Sequence, residues 1–385
     1  MVMNNTGKPH KANRETHTPR PRWHCSTWTK VTQGSQSSHS QSSNRKFYLI
    51  VGGWLALLGI AVAASLSQSG RHFAAEGEGT AKMPEAEEEE REKGPEALFP
   101  PTTADSATAD SARQADCPVK VALKKDLQHA LPHTFRNAQP NVITNAAYLR
   151  SVARILNEGK RPLRVLQIGD SHVAGKTFPL SLRQTLYDYF GQAEQPDSGA
   201  GVCFNFFGRN GATSSHFLTE SYMQKFAEKC PDLIVLSLGT NEAHGMGYRP
   251  EQHEVQLNNF FKRLREACPN AVVLLTTPPG DYLTTSYVNY RRTSRSKQKR
   301  RHVRYVKRPN PMSSRCADLI ARYGAEHQMP VWNMFDICGG EQAAQRNWVA
   351  GHYMRPDRIH FQPQGYALQG KLLGEALAKA MSEGC

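Results

Sequence analysis

Five short apolar runs alternate with amphipathic stretches along the C-terminal part of the chain. The runs cover residues 163–168, 202–207, 233–238, 272–276 and 331–335. Each run has the length of a buried strand, and the stretches between them are long enough for helices. Strands that alternate with helices form a parallel sheet covered on both faces. We therefore predict an α/β fold, a flavodoxin-like three-layer α/β/α sandwich with a parallel sheet of about five strands.

The first third of the chain has a composition that does not favour a packed core. Residues 1–46 carry eight Lys/Arg against one acidic residue, and residues 76–96 carry nine Glu against three Lys/Arg. Segments this polar bury too little apolar surface to offset the entropy of folding. We predict a disordered basic tail over 1–46, a disordered linker rich in Glu, Ala, Thr and Pro over 67–116, and a folded domain over 117–385.

Residues 47–66 form an uninterrupted window of twenty residues without a charge. As a helix this window would be about 30 Å long, which matches the hydrocarbon core of a bilayer. The basic segment before it predicts a cytoplasmic N-terminus. We expect a single-pass inner-membrane protein whose catalytic domain is periplasmic or extracellular. The alternative is a cleaved signal peptide, although both the apolar run and the segment before it are longer than usual for one.

The net charge of +14 is concentrated in short segments. Residues 291–308 alone contain ten Lys/Arg and no acidic residue. This uneven distribution, with little aromatic interleaving, argues against a protein built to bind nucleic acid. We expect 291–308 to form an extended loop at the edge of the active site. It could bind an anionic polymer or a phospholipid surface, and the alternative is a solvated loop without a partner.

Residues with catalytic potential follow two predicted strands and lie near the C-terminus. Ser171 follows the first strand in Gly-Asp-Ser-His, and Asn241 follows the third in Gly-Thr-Asn-Glu. Such positions gather at the carboxyl edge of a parallel sheet, where ligands bind. Asp357 precedes His360 by three residues, so the carboxylate can orient the imidazole while the other ring nitrogen faces the serine. Each feature alone also has an ordinary explanation as a helix cap or a turn.

Taken together and in order, these blocks resemble those of the SGNH or GDSL hydrolases. The matching segments are GDS at 169–171, GRNGAT at 208–213, GTNE at 239–242 and DRIH at 357–360. The resemblance implies Ser171 as nucleophile, His360 as general base and Asp357 as its partner. It also implies an oxyanion hole formed by the Ser171 amide, Gly211 and Asn241.

The family usually has leucine after the serine, whereas this chain has His172. The variant is similar to the pattern of bacterial peptidoglycan O-acetylesterases. The resemblance therefore implies a serine esterase that removes O-acetyl groups from an envelope carbohydrate, above all peptidoglycan, through an acyl-enzyme and without a cofactor or metal. Lipase, thioesterase and acyltransferase activities of the same fold stay open, as does a non-catalytic wall-binding role.

We expect the partners to be an acetylated cell-wall glycan or another ester and the membrane, but not nucleic acid. The sequence does not indicate an oligomeric state. The candidate substrate-binding residues are His172, Arg291, Arg292, Lys299, Arg300 and Arg301.

Cysteines are common enough for disulfides if the domain is exported. Cys230 and Cys268 each precede a proline just before the third and fourth predicted strands. These strands should be parallel neighbours, so we hypothesise that the two cysteines pair, with Cys316 and Cys338 as a weaker candidate pair.

Overall fold

The computed structural model describes residues 119–195, 197–293 and 296–385, with only the backbone described for 291–293 and 296–300. The predicted tail, membrane span and linker therefore lie outside the described residues. Within the described ranges, no helix is both long and apolar enough to cross a membrane.

A five-stranded, fully parallel sheet lies at the centre of the domain, which confirms the predicted fold class. The strands are β1 Leu163–Gly169, β2 Val202–Gly208, β3 Leu233–Ser237, β4 Val272–Thr276, β5 Tyr282–Thr293, β6 Ser296–Pro309 and β7 Val331–Trp332. The order in the sheet is β2-β1-β3-β4-β7. The direction of winding reverses between β1 and β3, and ligand sites of doubly wound sheets lie at the carboxyl ends of the strands at this point.

Helices cover both faces of the sheet. They are α1 Arg150–Glu158, α2 Ser171–Ala174, α3 Thr177–Phe190, α4 Glu220–Ala227, α5 Thr240–Ala243, α6 Pro250–Ala267, α7 Met312–Glu326, α8 Met334–Ile337, α9 Gly340–Ala350 and α10 Pro363–Glu383. Side chains of strand β1 point alternately to the two faces of the sheet. Leu163 and Val165 belong to the core formed with α1, α3 and α10. Leu166 and Ile168 belong to the core formed with α4, α6 and α7.

The predicted strands agree with the observed ones except at the C-terminal end of the last. Strand β7 stops at Trp332, where the apolar pattern predicted a strand to residue 335. The reason is a helix start: the side chain of Asn333 accepts a hydrogen bond from the Asp336 amide and caps α8.

The basic segment 291–308 is not the extended loop that we predicted. It forms most of an antiparallel hairpin of strands β5 and β6, with Tyr282 paired to Pro309 at the base and Arg291 paired to Arg300 near the tip. Residues 282–290, just before this segment, are rich in Thr and Tyr, which favour strand, and the high charge of 291–308 concealed that signal.

The predicted disulfide between Cys230 and Cys268 is wrong. Cys230 is disulfide-bonded, whereas Cys268 is a buried free thiol. The weaker pair is also wrong, since Cys316 and Cys338 are both free. Proximity of two strand starts is too coarse a criterion, because a disulfide also requires the two Cβ atoms to face each other.

Candidate active site

The turn between β1 and α2 carries Ser171 at the first position of the helix. Asp170 caps this helix, its carboxylate accepting a hydrogen bond from the His172 amide over 2.9 Å. The turn packs tightly against β2, because a Cβ on Gly208 would lie 2.1 Å from the backbone nitrogen of Ala174. Glycine at 208 is thus required for the close approach that fixes Ser171.

His360 and Asp357 reach Ser171 from a loop that lies 186 to 189 positions further along the chain. His360 Nε2 is 3.1 Å from Ser171 Oγ, and His360 Nδ1 is 3.0 Å from Asp357 Oδ2. The three side chains predicted to act together therefore lie in one hydrogen-bonded line. A carboxylate at Nδ1 places the imidazole proton there, which leaves the Nε2 lone pair for the serine hydroxyl.

The loop that carries this pair holds Asp357 in its ionised form. Partial burial alone would raise the pKa of Asp357, but hydrogen bonds from the Ile359 and His360 amides and from the imidazole lower it below its usual range. Arg358, between the two side chains, has a left-handed φ of 62°. Its carbonyl accepts a hydrogen bond from the Tyr282 amide at the base of the β5–β6 hairpin, so the hairpin braces this turn.

Two further predicted residues, Gly211 and Asn241, lie at the same cleft as Ser171. Gly211 has a φ of 70° with open space where a Cβ would be. Within the part of the chain that the structure describes, neither its amide nor that of Ser171 donates to a protein acceptor. Asn241 Nδ2 donates to the Ala212 carbonyl over 2.9 Å and has a longer contact of 3.3 Å to Asp170. These two backbone amides could donate to an anionic oxygen, and the Asn241 amide could do so by giving up its longer contact to Asp170.

Glu242 is a residue whose role the sequence did not reveal. Its buried carboxylate accepts hydrogen bonds from the Ser214 amide over 2.9 Å and the Gly239 amide over 3.0 Å. It thereby ties the loop after β2, which carries Gly211, to the turn after β3, which carries Asn241. Burial raises the pKa of Glu242 to about 7, against the lowering effect of these amides.

Asp170 is a second buried carboxyl in contact with the site. Burial raises its pKa to about 7, while the His172 amide and the charge of His360 lower it. Through the contact with Asn241 Nδ2, Asp170 links the nucleophile turn directly to the amide predicted to act as an oxyanion donor.

The prediction that His172 contacts the substrate is contradicted by its burial. The side chain is 4% exposed and packs behind His360, Phe361 and Tyr366. Its Nδ1 is hydrogen-bonded to the Tyr366 hydroxyl over 3.1 Å. Burial and the neighbouring His360 lower the pKa of His172 to about 3, so the ring is neutral. A polar residue at a helix start was expected to face the cleft, but helix α2 turns this position inward.

The cleft above Ser171 has a volume of about 570 Å³. Its lining residues are Ser171, Ala174, Gly175, Thr177, Asn210, Gly211, Thr240, Asn241, His244, Arg355, Ile359, His360, Pro363 and Tyr366. Two of them, His244 and Arg355, were missed by the sequence interpretation. His244 follows Asn241 by three residues, so the same rule of strand ends could have found it.

The predicted substrate-binding cations lie away from this cleft. Arg301 pairs with Tyr290, eight residues beyond the base of the hairpin, which places it about 27 Å along the strand at 3.4 Å per residue. Arg291, Arg292, Lys299 and Arg300 lie nearer still to the tip by the backbone register. Lys307 and Arg308 lie at the base instead, where the Lys307 ammonium donates to the Pro356 carbonyl.

Comparison with known proteins identifies the family. The GDSL-like lipase/acylhydrolase family matches residues 168–368, just over half of the chain and all four sequence blocks. Curated protein sequences give no match.

Solved structures similar to this chain have low sequence identity. A peptidoglycan O-acetylesterase is 16% identical, with 64% of this chain and 98% of the other covered and a TM-score of 0.47. A GDSL-like lipase from Bacteroides thetaiotaomicron is 19% identical, with 61% and 99% covered and a TM-score of 0.36. The periplasmic domain of a Salmonella ser. Paratyphi A lipopolysaccharide acetyltransferase is 10% identical, with 59% and 94% covered and a TM-score of 0.35.

Likeness at this level does not identify a substrate. The family match does extend over the nucleophile turn, the strand ends and the histidine loop that form the cleft. The chain therefore belongs to the GDSL-like lipase/acylhydrolase family, and it is a serine ester hydrolase.

Proposed function

We propose that this enzyme removes O-acetyl groups from a carboxylate-bearing carbohydrate of the bacterial envelope, with peptidoglycan as the first candidate. Ser171, His360 and Asp357 form its catalytic triad. The observation that carries the proposal is the continuous hydrogen-bonded line from the Ser171 hydroxyl to the Asp357 carboxylate, in an open cleft whose lining includes Arg355.

The chemistry proceeds in two steps through an acyl-enzyme. Ser171 Oγ attacks the acetyl carbonyl, its proton passes to His360 Nε2, and the same proton is then given to the departing sugar hydroxyl. Water then attacks the acetyl-serine and gives a proton to His360 Nε2; the bond between Ser171 Oγ and the acetyl carbon breaks, His360 returns the proton to Ser171 Oγ, and acetate leaves. In each step the carbonyl oxygen becomes an anion, which the Ser171 and Gly211 amides and Asn241 stabilise.

The lining of the cleft supports a short acyl group. Its apolar contributions come from Ala174, Ile359, Pro363 and the ring of Tyr366, and polar or small residues form the rest. A long acyl chain needs an extended apolar wall to offset its transfer from water, at about 0.8 kcal/mol per methylene. An acetyl group needs only a small pocket, and an open groove can admit a polymer on either side.

The hairpin supports a polymeric and anionic substrate. On one of its faces Tyr290 and Tyr305 are largely exposed, and the cross-strand register places Arg301 beside Tyr290 and Lys307 two residues from Tyr305. Exposed aromatic rings next to cations suit a chain that presents both sugar faces and carboxylates. The base of this hairpin is hydrogen-bonded to the loop of His360, so a bound polymer would lead into the cleft.

The direct test is acetate release from O-acetylated peptidoglycan sacculi by the full chain in detergent. The wild type should release acetate, and Ser171→Ala should lower the rate at least about a thousandfold because the nucleophile is lost. Ser382→Ala is the matched control, since that hydroxyl bonds to the Lys379 carbonyl in the last helix.

Equal acetate release by wild type and Ser171→Ala would contradict the triad. No release by the wild type would contradict peptidoglycan as the substrate and favour another ester or a binding role at the wall. Loss of acetyl groups without free acetate, and only when an acceptor glycan is added, would show transfer in place of hydrolysis.

Asn241→Ala tests the oxyanion hole. Removing one donor to the developing oxyanion costs about 2.7 to 4 kcal/mol of transition-state stabilisation, so kcat should fall a hundredfold or more. The melting temperature should change little, because Glu242 still joins the two loops. Asn205→Ala on β2, away from the cleft lining, is the control. A kcat within threefold of the wild type would remove Asn241 from this role.

We also propose that residues 47–66 anchor the enzyme in the inner membrane with the catalytic domain outside the cytoplasm. The charge-free length of the window and the basic tail before it support this. The full chain should remain in carbonate-washed membranes with its N-terminus intact, and a chain without 47–66 should not. A mature N-terminus that begins after residue 66 would show a cleaved signal peptide instead.

A further inference from the structure

A second histidine–aspartate pair faces the same cleft as the triad. His244 lines the cleft with Ser171 and His360, and its side chain is 40% exposed. Its Nδ1 is hydrogen-bonded to Asp281 Oδ2. The other ring nitrogen, Nε2, has no hydrogen-bond partner among the residues described. The pair thus repeats the arrangement of Asp357 and His360, with the free nitrogen left for something other than the protein.

Asp281 is a fixed and buried acceptor. The residue is 2% exposed, and its Oδ1 accepts hydrogen bonds from Asn310 Nδ2 over 2.8 Å and from Ser313 Oγ over 2.9 Å. These bonds, with one from the Asn310 amide to the Asp281 carbonyl, already join the base of the hairpin to the start of α7. The hairpin and α7 are therefore joined without His244. The remaining oxygen, Asp281 Oδ2, orients the His244 imidazole.

The hydrogen bond to Asp281 raises the pKa of His244, against a smaller lowering by burial. This shift favours the charged form of the imidazole, and Arg355 is a cation in the same lining. The lining that the structure describes contains neither Asp nor Glu. Because β5 begins directly after Asp281, the His244–Asp281 pair lies next to the base of the hairpin.

We propose that His244, oriented by Asp281, binds a carboxylate of the substrate beside the ester that Ser171 attacks. The inference rests on the proposed esterase function and defines its specificity. The imidazolium Nε2–H would donate a charge-assisted hydrogen bond to one carboxylate oxygen. His244 is a specificity residue in this account, and proton transfer stays with His360.

Matched pairs of acetyl esters test the subsite. The full chain in detergent is given the ortho, meta and para isomers of acetoxybenzoate, each beside its uncharged methyl ester, and acetate release is measured. For each isomer the readout is kcat/KM for the carboxylate divided by kcat/KM for the methyl ester. The isomers vary the distance between ester and carboxylate, so at least one should reach His244.

We expect His244→Gln to lower this ratio about tenfold for the best isomer, mainly through KM, because a hydrogen bond to a charged group is lost. His244→Lys should retain most of the ratio, since it keeps the charge without the shape of the imidazole. His133→Gln, an exposed histidine outside the cleft, should match the wild type. Melting temperatures confirm that each variant is folded.

Unchanged ratios in His244→Gln for all three isomers would overturn the subsite. An equal fall in kcat for charged and uncharged esters, in both His244 variants, would assign His244 to the chemistry and also overturn it. Hydrolysis of neither ester by the wild type would overturn the esterase proposal and the subsite with it. Hydrolysis of the methyl esters with no change of ratio rejects the subsite alone.

Discussion

The proposed chemistry of this enzyme depends on one hydrogen bond between side chains 189 positions apart, from the Ser171 hydroxyl to His360 Nε2. Each partner is held by its own local device. Ser171 is fixed by a glycine contact with β2 and by the Asp170 cap, and His360 by an ionised carboxylate and a left-handed turn that the hairpin braces. The parallel sheet brings the Ser171 turn and the His360 loop to the same edge, so the formation of the site depends on the strand order.

The cleft combines buried carboxyls below with cations at its rim. Burial raises the pKa of both Asp170 and Glu242 to about 7, and both side chains bond to the loops that carry the proposed oxyanion donors. At the rim, His244 and Arg355 line the cleft. In the proposed function the buried carboxyls hold the loops in place, and the residues at the rim select the substrate.

The fold could be predicted from the pattern of short segments, and the residues that meet at the cleft could be predicted from the resemblance of their ordered blocks to a known family. Apolar runs fixed the strands, and the order of GDS, GTNE and DRIH placed Ser171, Asn241 and His360 at one edge. Long-range relations could not be read in the same way. The burial of His172 depends on the direction in which α2 turns. The pairing of His244 with Asp281 depends on contacts between neighbouring strand ends. We did not predict the hairpin because its high charge suggested a loop. The position of Arg301, eight residues from the base of the hairpin, depends on the pairing of the two strands, which the sequence pattern does not show.

Covalent trapping of the nucleophile tests the central claim most directly. Diisopropyl fluorophosphate forms a phosphorus–oxygen bond with an activated serine and releases fluoride, and peptide mapping by mass spectrometry locates the label. The account predicts one label on Ser171 in the wild type, formed at least about a hundredfold more slowly in His360→Ala because the general base is absent. A label on another serine, or an equal labelling rate in His360→Ala, would contradict it.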